Sequence, residues 1–228
     1  MLYKCYNNWC DGFYEMFIYL INPYIWRLLM IIDKINNKVK RAPKGTLFIL
    51  ADFSNLEAPY NTIKDAVRKL VETEKLRIIY RGIYQKPNYS KTLQRMVPAL
   101  PSEIAETYAR KNDWRIIPAG ETALNQLGLT TQVPNSYEYR SNGPSREIIL
   151  KNGKKIKFRS TVSRDINMIY TSALVIEAFK ALGENNVNSE NLSIIKRKLT
   201  IDQFEQLKKD VLLSRNWIKD LVIKMEAS

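Results

Sequence analysis

Between Asn61 and Pro87 the chain reads NTIKDAVRKLVETEKLRIIYRGIYQKP, and few folds accommodate that pattern. Ile63, Ala66, Val67, Leu70 and Val71 recur at the i, i+3, i+4, i+7 spacing that gives a helix one apolar face. At about 100° per residue, Asn61, Asp65, Arg68 and Glu72 point the other way, with Lys64 and Lys69 on the flanks. Asn61 is a good N-cap. Leu76, Ile78 and Tyr80 then alternate with Arg77, Ile79 and Arg81. Gly82 supplies a turn, and a second short strand ends at Pro87. An apolar-backed helix that runs into a basic hairpin is the core of a winged helix-turn-helix.

The segments around it fit that frame. Ile31, Ile32, Ile35 and Val39 predict a first helix over Met30–Val39, broken by Pro43 and Gly45. Thr46–Leu50 is a short apolar run, Ala51–Leu56 a short helix around Asp52, and Glu57–Tyr60 the turn into the second helix. The winged helix-turn-helix is therefore expected over residues 30–88. Pro87, Pro98 and Pro101 mark residues 89–101 as a connector. Residues 1–29 are aromatic-rich and different in character, a non-conforming leader in which Met30 is a plausible true first residue. Pro23 and Arg27 interrupt their apolar run, which does not suit a membrane-spanning helix; an interfacial helix is the alternative.

Residues 102–228 read as a mixed C-terminal domain. Helices are expected at 102–111, with Ser102 as the N-cap, and at 120–127. Strands are expected at 114–118, 137–141, 146–151 and 154–160, the sheet ending at 163–165. Asn152-Gly153 between the last two long strands is a strong hairpin signal. A mostly apolar helix over 167–182 and further helices over 189–199, 202–213 and 214–225 follow. The fold class is thus α+β: an N-terminal winged helix-turn-helix, then a domain with a small antiparallel sheet and several helices.

The formal charge of +13 and a pI near 9.6 favour a polyanionic partner. The chain has no histidine, which removes the commonest general base and metal ligand. Cys5 and Cys10 stand without Cys or His partners, so neither a zinc site nor any other metal is supported. Such cysteine usage fits a reducing cytoplasm. The glycines form neither a dinucleotide-binding nor a Walker pattern, so no cofactor is expected. Glu138, Glu147 with Lys151, Asp113 and Asp165 could in principle serve a metal-dependent nuclease, but such spacings arise by chance in a chain with 26% charged residues. The chain is read as a non-enzyme.

A recognition helix sets its N-terminal residues against base edges in the major groove, which nominates Asn61, Thr62, Asp65 and Arg68. Asn can pair with adenine and Arg with guanine; Asp65 can accept from cytosine but is better suited to orienting Arg68 or to acting in the helix's first turn, where the macrodipole favours it. Lys64, Lys69, Arg77, Arg81 and Lys86 suit phosphates, and Arg81 at the wing tip suits a narrow minor groove. A second basic face is expected in the C-terminal domain from Arg146, Lys155, Lys157 and Arg159, with Arg140, Lys151 and Lys154 nearby. It could extend the DNA surface or dock an acidic protein.

The order of landmarks resembles the AbiEi-type antitoxins of bacterial abortive-infection toxin–antitoxin pairs. The resemblance rests on PKGTLF (Pro43–Phe48), Asp52-Phe53, DAVRKLV (Asp65–Val71), YRGIYQKP (Tyr80–Pro87) and PAGETALNQLGLTTQVP (Pro118–Pro134). It covers about residues 30–165, and the first 29 residues have no counterpart in it. The resemblance implies neutralisation of a cognate nucleotidyltransferase-type toxin, an activity attributed to the C-terminal domain. It also implies repression of its own operon through inverted repeats at the promoter. The alternative is a winged-helix regulator whose C-terminal domain is a sensor or protein-interaction module; a DNA-processing enzyme ranks third.

Overall fold

The computed structural model describes residues 23–162 and 166–227. Cys5, Cys10, Asp165 and most of the expected leader lie outside the described residues. The chain is α+β and divides into two compact units between Ala99 and Leu100.

The described part of the first unit opens with α1 (Pro23–Arg41), so the first expected helix extends at least seven residues ahead of Met30. Residues 23–29, expected to belong to the leader, continue this helix. Leu28 packs against the same core as Ile31, Ile35 and Val39, which is why the helix does not stop at Met30. Strand β1 (Leu47–Phe48) follows, then a 3-10 helix (Leu50–Leu56). The Asp52 carboxylate accepts from the Ile49 N–H at 2.8 Å and closes the start of that helix. Glu57, at φ 50°, turns the chain into α2 (Tyr60–Glu72). The residue at its N-cap is Pro59, not Asn61. Pro59 already has an extended ψ, and its carbonyl accepts from Ile63 N–H at 3.1 Å, which places Asn61 inside the first turn.

Strands β2 (Arg77–Tyr80) and β3 (Ile83–Gln85) form the hairpin, with Arg81 and Gly82 at its tip. Gly82 has φ 72°, a left-handed conformation that glycine adopts without a Cβ clash. The sheet order is β1-β3-β2, antiparallel throughout. A register shift between Ile78 and Tyr80 interrupts the strict alternation, and Ile78 is left exposed. The unit's core joins Ile35, Phe53, Ile63, Ala66, Val67 and Leu70. Residues 89–101, expected as a plain connector, carry a second hairpin of β4 (Tyr89–Ser90) and β5 (Arg95–Met96).

The second unit begins with α3 (Pro101–Lys111). Its N-cap is Leu100 rather than Ser102. Pro101 fits the first helical position, and the Glu103 carboxylate accepts from the Leu100 N–H at 2.9 Å. Then come β6 (Ile116–Ala119), α4 (Gly120–Gln126), β7 (Ser136–Ser141), β8 (Arg146–Ile149) and β9 (Lys155–Ser160). The sheet order is β6-β7-β9-β8. Its pairs are antiparallel except β7–β9, which run parallel because β9 inserts between β7 and β8. The Asn152-Gly153 turn does join β8 to β9. Gly153 N–H donates to Leu150 and Leu150 N–H to Lys154, which makes a three-residue loop with glycine in the left-handed position.

One sheet face carries Phe158, Tyr139 and Ile156, all buried, and Phe158 packs with Tyr139, with Tyr108 of α3 and with Trp114. Tyr108 and Phe158 stack with centroids 5.3 Å apart, and Trp114 meets Phe158 edge-on at 5.8 Å. Burial pushes the Tyr139 phenol far above its ordinary pKa. The remaining helices are α5 (Tyr170–Leu182), α6 (Ser189–Lys198), α7 (Ile201–Asp210) and α8 (Asn216–Ala227). They close a second core around Val175, Phe179, Ile195, Leu207, Ile218 and Val222. Among the described residues, no helix is long and apolar enough to cross a membrane.

Trp114 lies directly over Gly143, where a Cβ would come within 2.2 Å of the indole. Gly143→Ala should therefore displace the ring and cost the second unit about 1–3 kcal/mol, the usual penalty of overpacking. Denaturant unfolding checks this; an unchanged midpoint would show that the ring is not seated on Gly143.

Candidate nucleic-acid interface

Helix α2 presents a polar row opposite its buried face. Asn61, Lys64, Arg68, Lys69 and Glu72 are exposed, and Asp65 is half-buried. The Arg68 guanidinium lies 3.5 Å from Asp65 and 3.7 Å from Glu72. Asp65 thus stands where it can orient Arg68. The Lys69 ammonium donates to Glu72 at 2.8 Å; that bond, with the charges of Lys69 and Arg68, holds the Glu72 carboxyl below the usual carboxylate range. Solvent screens such exposed pairs, so these side chains can exchange partners at little cost.

Thr62 does not belong to this row: it is 2% exposed. It lies one turn before Ala66 and about 40° round the helix from it, on the side that packs into the core. Tyr60, expected in the turn, is instead exposed in the first helical turn beside Asn61. Pro59, with its extended ψ, stands at the N-cap and makes Tyr60 the first helical residue.

On the hairpin, Arg77 and Arg81 are exposed, Arg81 at the tip. Lys86 does not belong with them. Its ammonium donates at 2.7 Å to each of the Lys40 and Ala42 carbonyls, at the C-terminal end of α1. There it satisfies carbonyls that lack helical partners and meets the negative end of the helix dipole. Lys38 is similarly occupied, donating to the Asp52 carbonyl and lying over the Phe53 ring at 5.6 Å.

The second basic face is only partly as expected. Lys155, Lys157 and Arg159 share the sheet face opposite Ile156 and Phe158. Arg146 lies on the other face: it pairs in register with Phe158, and its guanidinium donates to the Tyr108 hydroxyl at 2.9 Å. Lys157 is flanked in register by Glu138 on β7 and Glu147 on β8, so the row alternates in sign. Lys155 lies 3.7 Å from Glu147, and Lys154 sits over the Tyr137 ring. Arg140 donates to Glu177 of α5 at 3.0 Å. Lys151 remains exposed at the β8–β9 turn. With one strand between them, Glu138 and Glu147 stand about 10 Å apart in backbone position, a poor arrangement for one metal ion. Among the described residues, no group of three or more His, Cys, Asp or Glu side chains could hold a metal.

The Lys86 contacts distinguish a structural lysine from a phosphate contact. Lys86→Met should lower the stability of the first unit by about 1–2 kcal/mol, measured by denaturant unfolding. Full stability combined with weaker DNA binding would return Lys86 to the interface.

No curated protein matches the chain. Residues 34–207 match a family of unknown function (DUF6088), a span that takes in most of both units. The chain belongs to that family.

Proposed function

We propose that this protein is an antitoxin and DNA-binding autorepressor, working in the cytoplasm without a catalytic activity of its own. The first unit binds double-stranded DNA at inverted repeats in its own promoter. The second neutralises a cognate nucleotidyltransferase-type toxin. The DNA half of this reading is carried by one observation: α2 buries Ile63, Ala66, Val67 and Leu70 and leaves Asn61, Lys64, Arg68 and Lys69 exposed. The order helix, strand, short helix, helix, then hairpin, with sheet order β1-β3-β2, supports a winged helix-turn-helix. In it α2 enters the major groove and Arg81 follows the adjacent backbone or minor groove. The antitoxin half rests on the resemblance to AbiEi-type antitoxins described above.

A second reading, a regulator whose C-terminal unit senses a small molecule, is favoured by a cavity in that unit lined by Arg140, Glu177, Lys180 and Arg215. The two readings share the DNA-binding unit and differ in what the second unit meets.

Arg68→Ala in the full-length chain should weaken promoter binding by about 1–3 kcal/mol and relax the preference at one base position. The same variant should still restore growth when co-expressed with the adjacent toxin gene. Unchanged affinity and base preference would remove α2 from the DNA. Failure of the wild-type chain to restore growth, with promoter binding intact, would favour the sensor reading.

A further inference from the structure

The second unit contains a cavity of about 430 Å³, within the range of small-molecule sites. Its wall carries Arg140, Lys180, Arg215 and Glu177, the hydroxyls of Thr161 and Ser214, and an apolar side of Met168, Ile176 and Leu213. Glu177 is 6% exposed and is held between Arg140 at 3.0 Å and Lys180 at 2.8 Å. One carboxylate therefore faces three cations, and the lining keeps a positive excess. Arg215 makes no side-chain hydrogen bond or ion pair among the described residues, although the guanidinium fork matches carboxylate or phosphate oxygens. Ser214 and Arg215 immediately precede α8, whose first N–H groups have no partner within the helix and add to the positive potential.

We propose that this cavity binds a small organic anion, a phosphate- or carboxylate-bearing molecule no larger than a mononucleotide. Arg215 grips the anionic group. Arg140 and Lys180, held in place by Glu177, supply the surrounding charge. Met168, Ile176 and Leu213 pack against the ligand's less polar body. The inference concerns the second unit alone and stands whether or not the first unit binds DNA.

Titration calorimetry on the full-length chain tests it, with inorganic phosphate, adenosine monophosphate and citrate as probes and adenosine as the uncharged control. The expected result is saturable one-to-one binding of at least one anion and none of adenosine. Preference for the phosphates assigns a phosphate group, and preference for citrate a carboxylate. Arg215→Ala should weaken that binding at least tenfold while its thermal unfolding overlays that of the wild type, because Arg215 is exposed and has no side-chain partner among the described residues. Lys224→Ala, an exposed cation on the same helix outside the cavity, should bind as the wild type does. Absence of saturable binding by all three anions would overturn the proposal. So would an Arg215→Ala affinity equal to that of the wild type or to that of Lys224→Ala.

Discussion

Helix α2 presses Ile63, Ala66, Val67 and Leu70 against α1 and the 3-10 segment, each of them 5% exposed or less. Burying a side chain the size of Ile63, Val67 or Leu70 contributes about 1.5–3 kcal/mol, whereas the exposed pairs of Arg68 and Lys69 are screened by solvent. Packing therefore sets the rotation of the helix, and the surface charges follow from it. The same contact buries Thr62 and leaves Asn61, Lys64 and Arg68 outside. Lys86 belongs to this framework as well, since it ties the hairpin strand to the last carbonyls of α1. The exposed row of α2 is thus held rigidly while its charges remain loosely paired, a combination that suits a surface made to meet a polyanion.

Much of this was legible because it depends on local periodicity. The apolar spacing in 61–71 locates α2, the alternation in 154–160 locates β9, and Asn152-Gly153 locates the turn before it. What was not legible depends on partners distant in sequence. The continuation of α1 ahead of Met30 goes with the packing of Leu28 against the core. The displacement of Arg146 to the opposite face follows from its register with Phe158, and the parallel pairing of β7 with β9 sets Glu138 beside Lys157. Lys86 looks like any basic residue at a strand end until the carbonyls of α1 are brought to it.

In the second unit the sequence itself marks a buried charge. Glu177 is the one acidic residue in the apolar run SALVIEAF of α5, and a carboxylate there must be buried with partners or not at all. Arg140 and Lys180 are those partners. The sheet and the helices meet around this pair, and Arg215 adds a guanidinium that has no side-chain partner among the described residues to the same cavity. Where the sequence suggested a basic face on the sheet, the structure flanks Lys157 of β9 with Glu138 and Glu147 on the neighbouring strands and gathers positive charge around a cavity as well.

The central claim is that the first unit reads DNA through α2 and the hairpin. Fluorescence anisotropy of a labelled promoter duplex, titrated with the full-length chain between 50 and 200 mM salt, tests it most directly. Four phosphate contacts from Lys64, Lys69, Arg77 and Arg81 predict a log–log slope of about −3.6 per bound chain, a loss of about a hundredfold in affinity over that range. A scrambled duplex should bind more weakly at every salt concentration. Affinity that does not change with salt, or that is equal for promoter and scrambled duplexes, would contradict the account.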